Sequence, residues 1–137
     1  MLKSQKSNFH LWRRSNCPLK MTIIYKDVDC TTTIIAPGRK IFGEVNLMRY
    51  LARIALNNMY ENHKNLSTID QVLDEFSIST TKHSVTKILG CSLDSSPFLA
   101  GDSFSLADIM GLGLARCHNI KTPSVSKWIN RCKELGY

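Results

Sequence analysis

Five cysteines and four histidines are the side chains best equipped for chemistry in this 137-residue chain. Their spacing leaves them little to do. Cys17, Cys30, Cys91, Cys117 and Cys132 form no Cys-x-x-Cys pair, and Cys117 stands beside His118 without two further ligands at metal spacing. A Cys–His nucleophile also needs a third group to orient the base, and the sequence reveals none. His10, His63 and His83 are isolated. There is no glycine-rich phosphate loop, no zinc-finger spacing and no aromatic RNP-like motif. An odd number of unpatterned cysteines points to reduced thiols in a cytosolic protein. Cys91 and Cys132 read as small core hydrophobes. The expectation is a chain with no metal and no cofactor.

The densest local signal is "SPFLAGDSFSLADIMG", Ser96 to Gly111. Ser105 and Asp108 have the spacing of a capping box, in which serine caps the helix and the carboxylate reaches back to the serine N–H. Phe104 and Ile109 fall at the two positions of a hydrophobic staple around it. Asp108 also suits the positive end of the helix dipole. Gly111 and Gly113 inside this helix imply that something packs closely against it. The spacing predicts a central, buried helix from about Ser105 to Arg116.

The other elements must position that helix. "MTIIY" (21–25) and "TTTII" (31–35) read as two β-branched strands and a hairpin. "APGRK" reads as a loop by its Pro-Gly. After Gly43 the period changes to a helical one, and a helix is predicted over Glu44–Asn57 with Leu47, Met48, Leu51, Ile54 and Ala55 on one side. A polar connector follows. The next helix covers Thr68–Phe76, capped by Ser67 with Asp70 at the third position, and buries Ile69, Val72, Leu73 and Phe76. A third covers Thr81–Cys91, with Val85, Ile88 and Leu89 inward. A last helix follows Pro123, with Ser124 as cap and Val125, Trp128, Ile129 and Cys132 on its apolar side. The fold class is mainly α (α+β).

The net charge of +7 is unevenly spread. The first twenty residues hold Lys3, Lys6, Arg13, Arg14 and Lys20 and no acid, so the rest of the chain is close to neutral. Such a leader can attract nucleic acid or an acidic partner, or simply stay solvated. It has no apolar core of a secretory signal. No apolar run approaches the roughly 20 residues of a membrane helix.

"SPFLAGDSFSLADI" resembles the Leu-x-Gly-x-x-x-(Ser/Thr)-x-Ala-Asp motif in the C-terminal helical domain of glutathione transferases. "GEVNLMRYLARI" is similar to the helix that follows the last strands of their thioredoxin-like half. Within that superfamily, "TIDQVLDEF" and "VSKWINRCKEL" resemble the auxiliary scaffold proteins of the multi-aminoacyl-tRNA synthetase complex. The resemblance implies an irregular leader (1–20), a truncated thioredoxin-like remnant (21–57) and a transferase-like helical domain (58–137). It also places a glutathione-carboxylate hydroxyl near residue 45, where this chain has valine. The twenty unpatterned residues before the first strand are too few for the strand–helix–strand that would present a catalytic hydroxyl. The resemblance therefore implies a non-catalytic assembly module. The alternatives are a truncated transferase-related enzyme or the similar domain of another translation factor.

By the same resemblance, partners bind through paired transferase-like domains. One surface would hold Met48, Arg49, Arg53 and Leu56 and meet the similar domain of the glutamyl-prolyl-tRNA synthetase. A second, with Lys127 and Arg131, would face the aspartyl-tRNA synthetase. Arginine is a common interface anchor, while the bland reading makes Arg49 and Arg53 solvated and Met48 core. The expected location is the cytosol, with the nucleus, and contact of the leader with tRNA, left open.

Overall fold

The computed structural model describes residues 33–36, 39–55 and 59–137. The expected leader over 1–20, the expected strand over 21–25 and Leu56 lie outside these residues. Among them, two strands lead into five helices.

β1 (Thr33–Ala36) and β2 (Arg39–Phe42) are antiparallel, with Thr33 opposite Phe42 and Ala36 opposite Arg39. The loop expected over "APGRK" is therefore largely strand, and only Pro37 and Gly38 separate the paired residues. Arg39 and Lys40 carry little strand signal of their own, so cross-strand pairing decides their state. Gly43 has φ +87°, a conformation that a Cβ disfavours, and it turns the chain out of β2. The Asn46 side-chain amide closes that turn by donating to the Phe42 carbonyl at 3.0 Å.

α1 (Glu44–Ala55) buries Val45, Leu47, Met48, Leu51 and Ala52. Ile54 was expected inward from its period, yet it is 46% exposed. The last turn of α1 runs over the connector instead, where Tyr60 is buried with the Arg53 guanidinium 5.5 Å above its ring centre. α2 (Leu66–Ile78) buries the expected Ile69, Val72, Leu73 and Phe76. It starts earlier than expected, after Asn65, so Ser67 is inside the helix rather than its cap. It also ends two residues later than expected, at Ile78.

α3 (Lys82–Leu93) begins at a capping box formed by Thr81 and Ser84. Val85 and Leu89 are its buried residues, and Ile88 packs partly against the core. Cys91 is exposed, contrary to the core role expected for it. α4 (Leu106–Cys117) is buried from Leu106 through Ala115 and packs against α1, α2 and α3. Its C-terminus ends with Asn119 at φ 51° and the Ile120 N–H donating to the Ala115 carbonyl at 2.9 Å. That is the Schellman closure, and Ile120 buries its side chain beyond it. α5 (Pro123–Glu134) starts one residue before the expected cap: Thr122 is the N-cap and Pro123 takes the first helical position. It buries Val125, Trp128 and Cys132. Burial pushes the Cys132 thiol up to about 12, so this cysteine behaves as a core residue.

The buried side of α1 joins the same core as α2 through α5. Among the described residues, no helix is long and apolar enough to cross a membrane. A close approach in the core is at Gly111. A Cβ built there would stand 2.5 Å from a Leu99 methyl and 3.2 Å from the Trp128 ring. Gly111→Ala should therefore lower stability by about 1–3 kcal/mol through overpacking, although alanine favours a helix by about 1 kcal/mol. Urea denaturation of both proteins checks this; a stabilised variant would show that the ring and methyl yield freely.

Candidate protein-binding face and its anchored loop

The side chain with the greatest reach in the fold is Asp108, fully buried at the first turn of α4. Its Oδ2 accepts from the Ser105 N–H at 2.9 Å and from the Ser105 hydroxyl at 3.1 Å. Its Oδ1 accepts from the Leu99 N–H at 2.9 Å and from the Trp128 indole N–H at 2.8 Å. One carboxylate thus ties the helix cap to the preceding loop and to α5. Burial pushes its pKa above the ordinary carboxylate value, and the bonds from Leu99, Trp128 and Ser105 pull against that rise. The expected box between Ser105 and Asp108 forms. The bonds to Leu99 and Trp128 had no local signal, because Trp128 is twenty residues away.

The loop that Leu99 belongs to is held from several sides. Phe98 and Gly101 exchange backbone hydrogen bonds of 3.0 and 3.2 Å around the turn. Gly101 has φ +128°, and a Cβ there would lie 2.5 Å from the Asn65 amide nitrogen. That amide donates to the Ala100 carbonyl at 2.7 Å. Arg131 of α5 donates to the Pro97 carbonyl at 3.2 Å. The connector adds His63, whose Nδ1 accepts from the Asn65 N–H at 3.1 Å while its Nε2 lies 3.0 Å from the Ser103 hydroxyl. Accepting at Nδ1 requires the neutral ring. Burial first, and Lys64 second, hold its pKa below the ordinary 6.5. His63 is thus a structural clamp. The Phe104 ring stacks on Tyr137 at 4.2 Å and meets Phe98 edge-on at 6.0 Å, so the staple position also seats the last residue.

The expected binding face on α1 is only partly available. Met48 is 1% exposed and belongs to the core, so it has no surface to offer a partner. Arg49 is turned inward onto α2: its Nε lies 3.1 Å from Asp70 and a terminal nitrogen 2.7 Å from Asp74. Asp70 also accepts from the Tyr60 hydroxyl at 2.7 Å. This is the work of the acid expected in a capping box for α2. Burial and that hydrogen bond hold the Tyr60 phenol above its ordinary pKa, so it remains a donor. Arg53 is exposed and pairs with Glu61 at 3.1 Å.

What remains open on this side is a different set. Phe42, at the end of β2, is 55% exposed, and Asn46 and Ile54 of α1 are exposed, Ile54 by 46%, whereas Tyr50 between them is partly buried against the core. Residues four apart share a helix face. The sequence did not mark Phe42 or Ile54, because Ile54 fitted the inward period and Phe42 lay between an expected loop and an expected helix. On the second expected surface, Lys127 is exposed, whereas Arg131 is half-buried and engaged with Pro97. Among the described residues, no group of three His, Cys, Asp or Glu side chains is placed to hold a metal ion.

Two curated proteins are similar to this chain. The aminoacyl tRNA synthase complex-interacting multifunctional protein 2 of Bos taurus is 28% identical over 135 residues, which cover 90% of this chain and 42% of the relative. The probable aminoacyl tRNA synthase complex-interacting multifunctional protein 2 of Drosophila melanogaster is 28% identical over 129 residues, covering 84% of this chain and 39% of the relative. The chain spans about two fifths of the length of these relatives. No family model matches it, and no solved structure does.

Asp108→Asn keeps one acceptor but turns an amide NH2 toward the Ser105 N–H. It should cost about 2–4 kcal/mol in urea denaturation, because a buried donor loses its partner and charge-assisted bonds are lost. A cost near zero would remove Asp108 from its central position. His63 titrates in the opposite sense to a stabilising cation. Its folded pKa lies below 6.5, so its contribution is complete above 6.5 and is lost as pH falls through the folded value. The urea midpoint should therefore drop from pH 7.5 to 5.5 more in the parent than in His63→Gln. Equal drops would contradict the clamp.

Proposed function

We propose that this chain is a non-catalytic assembly module of the aminoacyl-tRNA synthetase complex, working in the cytosol. The observation that carries the reading is similarity along nearly the whole chain to two proteins named for interaction with that complex. The geometry is in keeping with it. At the first turn of α1, where the transferase resemblance puts a hydroxyl for the γ-glutamyl carboxylate, Val45 is buried and offers none. Phe42 at the end of β2 and Ile54 in the last turn of α1 are exposed large hydrophobics, and Ile54 adjoins Arg53, which pairs with Glu61. An apolar centre with an arginine at its rim is the composition of a protein interface. The partner on that face is the similar transferase-like domain of a synthetase, with the glutamyl-prolyl enzyme the first candidate by resemblance.

The test is a pull-down of the purified chain against cell lysate, with synthetases identified by mass spectrometry and an Ile54→Asp version alongside. The parent should retain synthetases. Ile54→Asp should lose one of them about thirtyfold or more, as charge in an interface centre costs roughly 2 kcal/mol or more. No synthetase with the parent would contradict the function. Unchanged recovery with Ile54→Asp would contradict the face.

A further inference from the structure

Charge is segregated in this fold in a way that the near-neutral balance of residues 21–137 conceals. All three ion pairs among the described residues lie on α1, the connector and α2. α2 carries Asp70, Asp74 and Glu75 and no basic residue. On the other side of the core the balance reverses. α3 contains Lys82 and Lys87 and no acid. From Ile109 to Lys133 there is again no acid, while Arg116, Lys121 and Lys127 are all exposed.

Lys82 and the loop that carries Lys121 adjoin on this side. α3 packs against α5. Lys82 reaches across to the α4–α5 loop, donating to the Asn119 carbonyl at 3.4 Å. Lys82, Lys87, Arg116, Lys121 and Lys127 take part in none of the ion pairs. Among the described residues no ion pair compensates their charge. The same segments present His83, Asn119, Ser126 and Asn130 to solvent. The large exposed hydrophobics lie elsewhere: Phe42, Ile54 and Ile78 on β2, α1 and α2, and Leu135 past the end of α5.

We propose that the face formed by α3, the α4–α5 loop and the start of α5 binds the phosphate backbone of structured RNA. A protein interface calls for an apolar or aromatic centre, which this face lacks. Backbone binding calls for unpaired Lys and Arg with hydroxyl and amide donors among them, which it has. No exposed aromatic stands on these segments to stack a base, so contact is with phosphates and without sequence preference. The charge argument is independent of the proposed function; the choice of RNA over DNA rests on that reading. The surface takes over Lys127, which the sequence resemblance assigned to a synthetase.

The experiment uses the full chain and a fluorescent RNA hairpin, titrated at several salt concentrations, with duplex DNA of equal length and polyglutamate as competitors. The RNA should bind, and polyglutamate should compete poorly. Lys82→Gln, Lys121→Gln, Lys127→Gln in one chain should weaken binding about tenfold or more and reduce the salt slope by roughly 2, as phosphate contacts are lost. Lys40→Gln, Lys64→Gln should leave both unchanged. Lysine footprinting on the unaltered chain gives the same answer without substitution: RNA should protect Lys82, Lys121 and Lys127 and leave Lys40 and Lys64 reactive. The proposal is overturned if the parent binds no RNA, or if polyglutamate displaces RNA at equal charge. It is likewise overturned if the triple variant binds like the parent, which would place the contact in the basic leader, or if DNA binds more tightly. Because no synthetase is present, these outcomes leave the assembly reading untouched.

Discussion

The arrangement depends on one buried carboxylate. Asp108 is removed from water at the start of the most buried helix, a costly position for an ionisable group. Its acceptor sites are filled by Ser105, Leu99 and Trp128. Each partner comes from a different part of the chain, so the carboxylate fixes the α4 cap, the loop before it and the packing of α5 together. Gly111, one turn further on, then has to be glycine-sized, since the loop and the indole anchored by Asp108 close directly over it. The motif "FLAGDSFSLAD" is in this sense one structural device rather than several punctuation marks.

The helical core leaves two contrasting surfaces. On the α1 side, acids and bases are spent on each other: Arg49 locks α1 to α2 through Asp70 and Asp74, and Tyr60 shares Asp70. Exposed ion pairs of this kind contribute little stability singly, but Arg49 is half-buried and engages two carboxylates. The large hydrophobics that this side exposes are Phe42, Ile54 and Ile78. On the α3–α5 side the exposed Lys82, Lys87, Arg116, Lys121 and Lys127 take part in no ion pair among the described residues. Faces of such different composition suit two different kinds of partner.

Much of this was legible in sequence where the signal was local. The box between Ser105 and Asp108, the inward residues of α2 and the close packing at Gly111 follow from short spacing rules, and they are found as expected. Failures came where long-range contacts decided. Ser67 and Asp70 matched a cap pattern, but Asp70 is drawn to Arg49 twenty-one residues earlier, and Asn65 precedes the helix instead. Ile54 matched the helical period, yet the connector rather than the core lies beneath the last turn of α1. Arg49 and Met48 looked like surface anchors because sequence alone cannot separate an arginine that pairs within the chain from one that waits for a partner. The anchoring of Asp108 by Trp128 joins residues with no local relationship, so no pattern marks it.

The central claim is that the α1 side of this chain seats a synthetase. Cross-linking mass spectrometry on the assembly recovered with the chain tests it most directly, because lysines are distributed over both surfaces. Links from Lys40, beside Phe42 on β2, to peptides of one synthetase are the predicted result. Synthetase links confined to Lys82, Lys121 and Lys127, or links to no synthetase at all, would contradict it.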